Sequence, residues 1–324
     1  MKNLIFLILI TFQLNSFGQI PNTLSTEDKL YSVSKFWQEV NYNFVYLDRI
    51  NRKSWDSLYK ATLTAVYSTK NDYEYYRLLD KFCAYLKDGH TNILYPKNLI
   101  QNIMINDFGE YKIVLSNIDQ RAIITKINVR KKDEIPIGSE VLKVNGLSTS
   151  EYIDQFVKPY ISASTNHVLQ NQAVSELLKG TVGQKFVIEL LKPDGQKKTL
   201  KLKHQLCNDN DYFPPVMKRD LLVHKTFEND IHYLALNSFG NRKIDTLFKN
   251  ILPELYNAKR LIIDLRNNGG GSTNIGVNIL QYFTNDTVLF GSKSISRKHI
   301  PVYKAWGAFL TPSDTLNDRP DWDM

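Results

Sequence analysis

The chain has 324 residues, of which 43% are hydrophobic and 23% are charged. This composition is typical of a globular protein with room for two or three domains, and it excludes a disordered chain. The formal net charge is +8, but lysines and arginines are scattered along the sequence rather than clustered, so we expect a solvated basic surface and no nucleic-acid binding.

The first residues predict the compartment. Lys2 gives a short positive start, and an apolar run from Leu4 to Phe12 follows it. Ser16-Phe17-Gly18 places small residues where a signal peptidase reads them, so we expect residues 1–18 to be a signal peptide and the protein to be exported, to the periplasm or the extracellular space. A membrane anchor is the alternative, but the apolar run is well short of the ~20 residues that a span needs, and no later segment is apolar enough.

The sequence contains no arrangement of residues that is typical of a metal site. The only cysteines, Cys83 and Cys207, are far apart and have no Cys-x-x-Cys spacing, which argues against a zinc site. They can pair in an oxidising compartment, although the apolar helical pattern around Cys83 is more typical of a buried free thiol. Asp209 and Asp211 lack the Gly and Glu of a calcium loop. We therefore expect neither a metal nor another cofactor.

Residues 19–100 are predicted to form a helical domain. Apolar residues recur at helical spacing in three stretches, which begin near Ser25, Ser54 and Asn71 behind residues that favour helix N-termini. Three short amphipathic helices at this spacing indicate a small bundle. We expect its many aromatic residues to form the core rather than a binding site.

Residues 101–206 change to short β-type runs, including YKIVLS, RAIITKIN and SEVLKVNG. KFVIELLKPDGQKKTLKLKH reads as a hairpin, and Ser150–Tyr160 and Asn166–Lys179 have helical patterns. The stretch IPIGSEVLKVNGLSTSEYI resembles the centre of a PDZ domain, which binds an extended peptide as an added strand at an open sheet edge. A small β-rich domain without a ligand is the alternative.

Residues 207–324 are predicted to contain alternating strands and helices. IHYLALNSF reads as a strand, Ile244–Tyr256 as a helix and RLIIDL as a buried parallel strand. A helix through Ile275 and Phe283 follows, and Thr287–Ser296 reads as the next strand. This β-α-β-α-β order is typical of a layered α/β domain.

The stretch RLIIDLRNNGGGSTNIG places three glycines between a strand and a helix. A phosphate-binding loop needs Lys and Ser or Thr where Val277-Asn278 stand. A dinucleotide site needs a glycine at position 274, which is Asn274 here. It also needs an acidic residue at the end of the next strand, and that residue is missing. An oxyanion site needs only backbone N–H groups aimed at one point, which glycines permit. A glycine-rich turn that binds no ligand is the alternative to these three kinds of site.

The sequence I-I-D-L-R-N-N-G-G-G resembles the central motif of the tail-specific, or C-terminal-processing, serine peptidases, whose relatives include tricorn protease. The resemblance implies that Gly270 and Gly271 supply backbone donors to the oxyanion. LKDGHTNI is similar to a segment that, in the tricorn-like branch, precedes the PDZ-like domain and carries the general base, which corresponds to His90. A structural role at a helix end is the alternative for this histidine.

The family's nucleophile is a serine in a Ser-Ala/Gly-x-Glu-like segment, several tens of residues after the glycine motif. No serine has that context, neither in Ser162-Ala163-Ser164 nor at the later positions Ser292, Ser294, Ser296 and Ser313. We therefore expect a chain that is truncated before its nucleophile and inactive alone, because a base and an oxyanion site without a nucleophile form no acyl-enzyme. An inactive pseudo-peptidase, or a non-catalytic protein that binds peptides in the PDZ-like groove, is the alternative.

The resemblance implies a multidomain protein with α+β and α/β parts. These are an N-terminal helical bundle, a PDZ-like β domain and a partial crotonase-like (ClpP/crotonase) α/β core. The implied domains are residues 19–100, 101–206 and 207–324. The implied activity is hydrolysis of peptide bonds in a polypeptide, at an unstructured or C-terminal segment. Substrate identity, cleavage preference and oligomeric state stay open.

Overall fold

The computed structural model describes residues 20–209, 211–286 and 288. They form two compact units, divided between Pro215 and Val216. The predicted signal peptide and, apart from Val288, the predicted strand Thr287–Ser296 lie outside the described residues. Within the described part, no helix is both long and apolar enough to cross a membrane.

The first unit opens with three helices at the positions that the sequence predicts: α1 (Thr26–Asn43), α2 (Arg52–Val66) and α3 (Asp72–Ala84). Each follows a residue whose side chain accepts a main-chain N–H of the first turn, respectively Ser25, Asn51 and Asn71. Trp55 is fully buried and stacks on Phe82 with ring centroids 4.3 Å apart. The aromatic side chains of the helices therefore form a core, as expected.

Asp72 ties the first described residues to the helices. Its carboxylate accepts hydrogen bonds from Thr23 N and Thr23 Oγ1, both at 2.8 Å, and lies 3.7 Å from Lys29 Nζ. Asp72 and Lys29 are both almost completely buried. Removing either partner of a buried ion pair leaves the other charge buried and uncompensated, which lowers the free energy of unfolding.

A β-rich region follows the short helix α4 (Lys97–Ile100). In chain order its strands are β1 (Ile103–Met104), β2 (Asp107–Phe108), β3 (Tyr111–Ile118), β4 (Arg121–Asn128), β5 (Glu140–Val144), β6 (Leu147–Ser148), β7 (Gly180–Thr181), β8 (Lys185–Leu191), β9 (Lys197–Lys203) and β10 (Tyr212–Phe213). Its helices are α5 (Thr149–Tyr152), which continues through irregular turns to Tyr160, and α6 (Asn166–Ser175).

The main sheet of this region has the strand order β2-β3-β4-β5-β8-β9, with β10 added to β4 and β6 to β5. The strands are antiparallel, and β8 and β9 form the predicted hairpin. Strand β3 pairs with β4 along its length but with β2 only at Tyr111 and Lys112. Helix α6 lies beside β3, and Asn117 Nδ2 donates to Asn171 Oδ1 at 2.8 Å.

Both cysteines are buried free thiols in the first unit. Cys83 Sγ donates to the Thr91 carbonyl at 3.2 Å, and Cys207 Sγ donates to the Asp209 carbonyl at 3.4 Å. Burial raises the pKa of the Cys83 thiol, which keeps it protonated and unreactive. The described residues 20–215 form one compact unit, so the domain boundaries at residues 100 and 206 stay predictions.

The second unit contains β11 (Leu222–Phe227), β12 (Ile231–Leu236), α7 (Lys243–Leu255), β13 (Arg260–Asp264) and α8 (Thr273–Leu280). Strand β11 is antiparallel to β12, whereas β12 and β13 are parallel. The buried Leu234, Phe248 and Ile275 form a core between the sheet and the helices. Strand β11 was not expected, because its polar residues His224, Lys225 and Thr226 interrupt the apolar pattern.

The prediction that β13 is buried is wrong in the described part of the chain. Ile262, Ile263 and Leu265 are 51%, 43% and 49% exposed. The reason is topological: β13 is an edge strand of the described three-stranded sheet, with β12 on one side only. Its apolar residues indicate a buried strand, whereas burial depends on neighbours that the pattern does not contain.

The buried ion pair of Asp72 makes a stability prediction. Asp72→Ala leaves Lys29 charged and buried without its carboxylate, and we expect it to lower the free energy of unfolding by about 3 kcal/mol. Asp154→Ala is the control, because its pair with Lys158 (Nζ–Oδ1 2.7 Å) is solvent-exposed and contributes about 0–1 kcal/mol. Urea unfolding followed by circular dichroism measures both, and equal losses would contradict the prediction.

Candidate active site

The parallel pairing of β12 and β13 positions the glycine turn. Ala235 pairs with Asp264, so the carboxyl ends of the two strands meet at the same edge of the sheet. The chain after β12 continues through Phe239, and the chain after β13 turns through Arg266 to Gly271 before α8 begins at Thr273. Two loops therefore lie side by side at one sheet edge, where α/β proteins commonly bind ligands.

Asn268 holds the glycine turn against the end of β12. Its main-chain N–H donates to the Leu265 carbonyl at 2.9 Å, and its side-chain Nδ2 donates to the Leu236 carbonyl at 3.0 Å. Its Oδ1 accepts the N–H of Gly270 at 2.8 Å. A single side chain thus connects the last residue of one strand to the second glycine after the other.

Gly271 must be glycine. Phe239 N–H donates to the Gly270 carbonyl at 3.0 Å, and Ser272 N–H donates to the Phe239 carbonyl at 2.9 Å, so the two loops are joined by main-chain hydrogen bonds. A Cβ at Gly271 would lie 2.1 Å from the carbonyl carbon of Phe239. Its φ of +135° is a second restriction, because residues with a side chain rarely adopt it.

Unpaired N–H groups cluster where the turn meets the helix. Within the described residues, the N–H groups of Gly271, Thr273 and Asn274 make no hydrogen bond, and Ser272 provides no side-chain cap for α8. The N–H of Gly270 differs, because Asn268 Oδ1 accepts it. The turn therefore presents free donors of the kind that bind an anion, with Gly271 as the free one of the two glycines singled out by the sequence.

A buried carboxylate stands beside this turn. Asp264 accepts hydrogen bonds from Tyr233 Oη (2.6 Å), from Arg266 N (2.9 Å), and from Arg266 Nε and Nη2 (3.0 and 2.7 Å). The Arg266 guanidinium, followed by the Tyr233 hydroxyl, holds the pKa of the Asp264 carboxyl well below its usual range. Sequence reasoning did not single out this pair, although an acid and an arginine two residues apart at a strand end were a visible signal.

Asp264 is therefore a structural anion rather than an acid or a base. Its oxygens are occupied by four donors, so they have little capacity to take a proton from a reacting group. Its hydrogen bond to the Tyr233 hydroxyl also raises the pKa of that phenol. The carboxylate stabilises the first residues of the turn that leads to the glycines.

His90 lies in the first unit, whereas Gly270 and Gly271 lie in the second. It sits in an exposed turn after α3 that is closed by Thr91 N–H donating to the Asp88 carbonyl at 3.3 Å. Gly89 N–H donates to Ser164 Oγ at 2.9 Å, which anchors the turn from the β-rich region. The imidazole of His90 makes no hydrogen bond within residues 20–286, so both ring nitrogens are available.

The described residues contain no group of three or more His, Cys, Asp or Glu side chains arranged to hold a metal ion. Of the serines considered as nucleophiles, Ser162 Oγ contacts Cys83 Sγ at 3.6 Å and Ser164 Oγ is occupied by Gly89. Ser292, Ser294, Ser296 and Ser313 lie outside the described residues.

Residues 230–300 match the family model described as peptidase family S41. This segment of the chain is similar to that peptidase family. The matched segment contains β12, β13, the glycine turn and α8, so it carries the motif on which the resemblance rests. No curated protein sequence matches the chain significantly.

Solved structures of CPAF are similar in fold at low identity. Mature CPAF complexed with lactacystin superimposes with a TM-score of 0.54 and 14% identity, covering 79% of this chain and 59% of that chain. Mature CPAF gives a TM-score of 0.51 and 13% identity, covering 76% and 56%. A photosystem II D1 C-terminal processing protease gives a TM-score of 0.31 and 16% identity, covering 78% and 64%. The chain thus has a mixed helix-and-sheet fold and spans about three fifths of the length of the CPAF structures.

The three glycines offer a graded test of the turn. Gly269→Ala meets no atom and no positive φ, so we expect little change in the free energy of unfolding. Gly270→Ala has space but a φ of +92°, which costs about 1–2 kcal/mol. Gly271→Ala adds a clash with main-chain atoms, and we expect a loss of about 3 kcal/mol or more. Urea denaturation of the three variants measures the order, and equal losses would contradict it.

Asp264 makes a prediction about acid stability. Because its pKa is lowered in the folded protein, its stabilisation is complete above the unfolded-state pKa of about 4 and is lost as the pH falls below that value. We expect Asp264→Asn to lower the melting temperature at pH 7 and to flatten its fall between about pH 4 and pH 2. Asp230→Asn is the control, since its pair with Lys259 is exposed. An unchanged acid slope for Asp264→Asn would rule out this role.

Proposed function

We propose that the chain is part of an exported serine-type peptidase that hydrolyses polypeptides through an acyl-enzyme. The observation that carries the proposal is the glycine turn, which has free N–H groups where two parallel strands end, within the segment that matches peptidase family S41. Acyl transfer passes through a tetrahedral intermediate whose oxygen is negatively charged. Free main-chain donors that are already oriented stabilise that charge.

The two glycines have different parts in this proposal. Gly271 N–H is free and binds the oxyanion directly; one such donor is typically worth on the order of 3 kcal/mol of barrier. Gly270 N–H serves as the second donor only when Asn268 Oδ1 releases it, since that oxygen holds it at 2.8 Å. The main-chain bonds between Gly270, Ser272 and Phe239 keep the turn in place while substrate binds.

His90 is the proposed general base. Its ring nitrogens have no partner in the described chain, and imidazole is the side chain best suited to take a proton from a serine near neutral pH. Hydrogen bonds from the turn to Ser164 and Asp88 support its main chain. The nucleophilic serine is proposed to come from residues other than these 324, because no serine of the chain has the family's context.

The substrate is proposed to be an unstructured or C-terminal polypeptide segment, held by a PDZ-like domain and a crotonase-like core. Beyond Ile113, the outer edge of β3 has no partner strand in the described chain, and α6 lies beside it. A peptide added at this edge would pair with the main chain of β3 and place its side chains against α6. The Asn117–Asn171 hydrogen bond spans the same space and would have to open.

A non-catalytic peptide-binding protein is the second candidate. The observation that favours it is the missing serine context, since a free base and free oxyanion donors cannot cleave a peptide bond without a nucleophile. The β3 edge alone would then be the functional surface. The DNA that follows codon 324 separates the two candidates: an open frame encoding Ser-Ala/Gly-x-Glu supports the peptidase, and its absence supports the binding protein.

The role of His90 is tested in the longer product of such a frame, with hydrolysis of a fluorescently labelled unfolded polypeptide as the assay. We expect His90→Ala to lower kcat by about 10²- to 10⁴-fold. The circular dichroism spectrum should be unchanged, because His90 is exposed. Tyr67→Ala, which alters another exposed side chain of the first unit, should retain activity. Turnover that survives His90→Ala would remove His90 from the mechanism.

A further inference from the structure

The segment Thr91–Pro96 has the form of a strand without a partner. It runs from the turn of His90 to α4 with neither helix, turn nor bend. Its side chains alternate between half-buried and exposed along all six residues, as in a strand with one covered face. Ile93 packs against the helical core on the covered side, and Leu94, on the other side, is 87% exposed.

The main chain of this segment is unpaired. The N–H and C=O groups of four successive residues, Asn92 to Tyr95, make no hydrogen bond within the described residues. Both ends are anchored: the Thr91 carbonyl accepts from Cys83 Sγ, and the Pro96 carbonyl accepts from Leu99 and Ile100 in α4. Successive strand residues point their N–H and C=O groups to opposite edges, so each edge of this anchored segment presents the unpaired groups of two residues, which are complementary to another extended polypeptide.

The segment is held in shape by its covered side chains. Tyr95 Oη donates to Asp80 Oδ2 at 2.6 Å, and its ring lies 5.0 Å from that of Tyr76. Asp80 is itself fixed on α3 by Arg77, whose Nη1 is 3.7 Å from Asp80 Oδ2. A strand whose covered side chains are already held by the core loses less conformational entropy when a peptide pairs with it.

A cavity of about 460 Å³ borders the same strand. Its apolar walls come from the strand, from the segment after α4 and from the β-rich region, and charged side chains complete it: Ile93, Tyr95, Ile103, Ile105 and Ile161, with Asp80, Glu176 and Lys179. Ile100, at the same cavity, is 53% exposed. In a paired strand every second side chain points to the same side, so a docked peptide would insert alternate apolar side chains here.

We propose that Asn92–Tyr95 is a docking strand that binds an extended polypeptide with apolar residues at alternate positions. The site is separate from the β3 edge and lies entirely within the first unit. It requires no peptidase activity, so its failure would leave the proposed function standing, and the reverse also holds.

The test uses the 324-residue protein and a fluorescein-labelled eight-residue peptide in which Val alternates with Thr between a Lys and a Glu. We expect binding by fluorescence anisotropy, and slower amide hydrogen exchange at residues 92–95 when the peptide is present. Protection at residues 113–118 instead would assign the peptide to the β3 edge and overturn the proposal. Protection without peptide that grows with protein concentration would assign the strand to self-association and also overturn it.

Peptide variants test the hydrogen-bonding geometry. An added strand pairs through one edge only, so N-methylation of one alternate set of amides should abolish binding while methylation of the other set is tolerated. Equal tolerance of both sets would exclude strand pairing, and would point to a peptide held by the cavity alone.

Protein variants test the strand itself. Ile93→Pro and Leu94→Pro each remove one N–H donor, and the donors of successive strand residues point to opposite edges. We therefore expect one of the two variants to lower affinity at least about tenfold, and Ile93→Ala and Leu94→Ala, which keep both donors, to have smaller effects. Leu206→Ala, at another exposed leucine of the first unit, should leave affinity unchanged. Unchanged binding by both proline variants would contradict the docking strand.

Discussion

The side chain of Asn268 is the constraint on which the candidate active site depends. Two strands that end together do not by themselves orient the loops that follow them. Asn268 does so with one donor and one acceptor: its amide nitrogen binds the carbonyl of Leu236, and its amide oxygen holds the N–H of Gly270. Because both bonds come from one short side chain, the glycine turn cannot shift along the sheet without losing them together.

The charged pair of Asp264 and Arg266 also holds the turn that leads to the glycines. Asp264 is the last residue of β13, and its four hydrogen bonds bring Tyr233 and Arg266 to the start of the same turn. A deprotonated carboxylate close to the proposed oxyanion site is unfavourable unless its charge is compensated, and Arg266 provides that compensation. Asp264 and Arg266 therefore support the turn without using the free N–H groups, which are the proposed oxyanion donors.

The local elements follow from the sequence, and their surroundings do not. The three opening helices and the α7–β13–α8 succession lie at the expected positions because capping residues and apolar spacing are local signals. The burial of β13 could not be predicted, since Ile262 is apolar whether or not a further strand covers it. Strand β11 was missed because His224 and Lys225 obscure its alternation.

The candidate site was predictable only in part. The glycines were visible because three of them in succession separate an apolar strand pattern from a helical one, and the resemblance to a peptidase family indicated His90. The hydrogen bond that occupies Gly270 was not visible, because it depends on which way the Asn268 side chain turns. The docking strand was hidden for the opposite reason: Thr91–Pro96 has a strand-like alternation, but only the three-dimensional structure shows that its main chain has no partner.

The absence of a side chain at Gly271 has a mechanical consequence. The main chain of Phe239 contacts that of Gly271 and is hydrogen-bonded to both residues that flank it, Gly270 and Ser272. The two loops are therefore held together as one unit. We therefore expect a displacement of the segment after β12 to shift the N–H groups at the start of α8 as well. The orientation of these donors thus depends on the loops after both strands and not on the glycine turn alone.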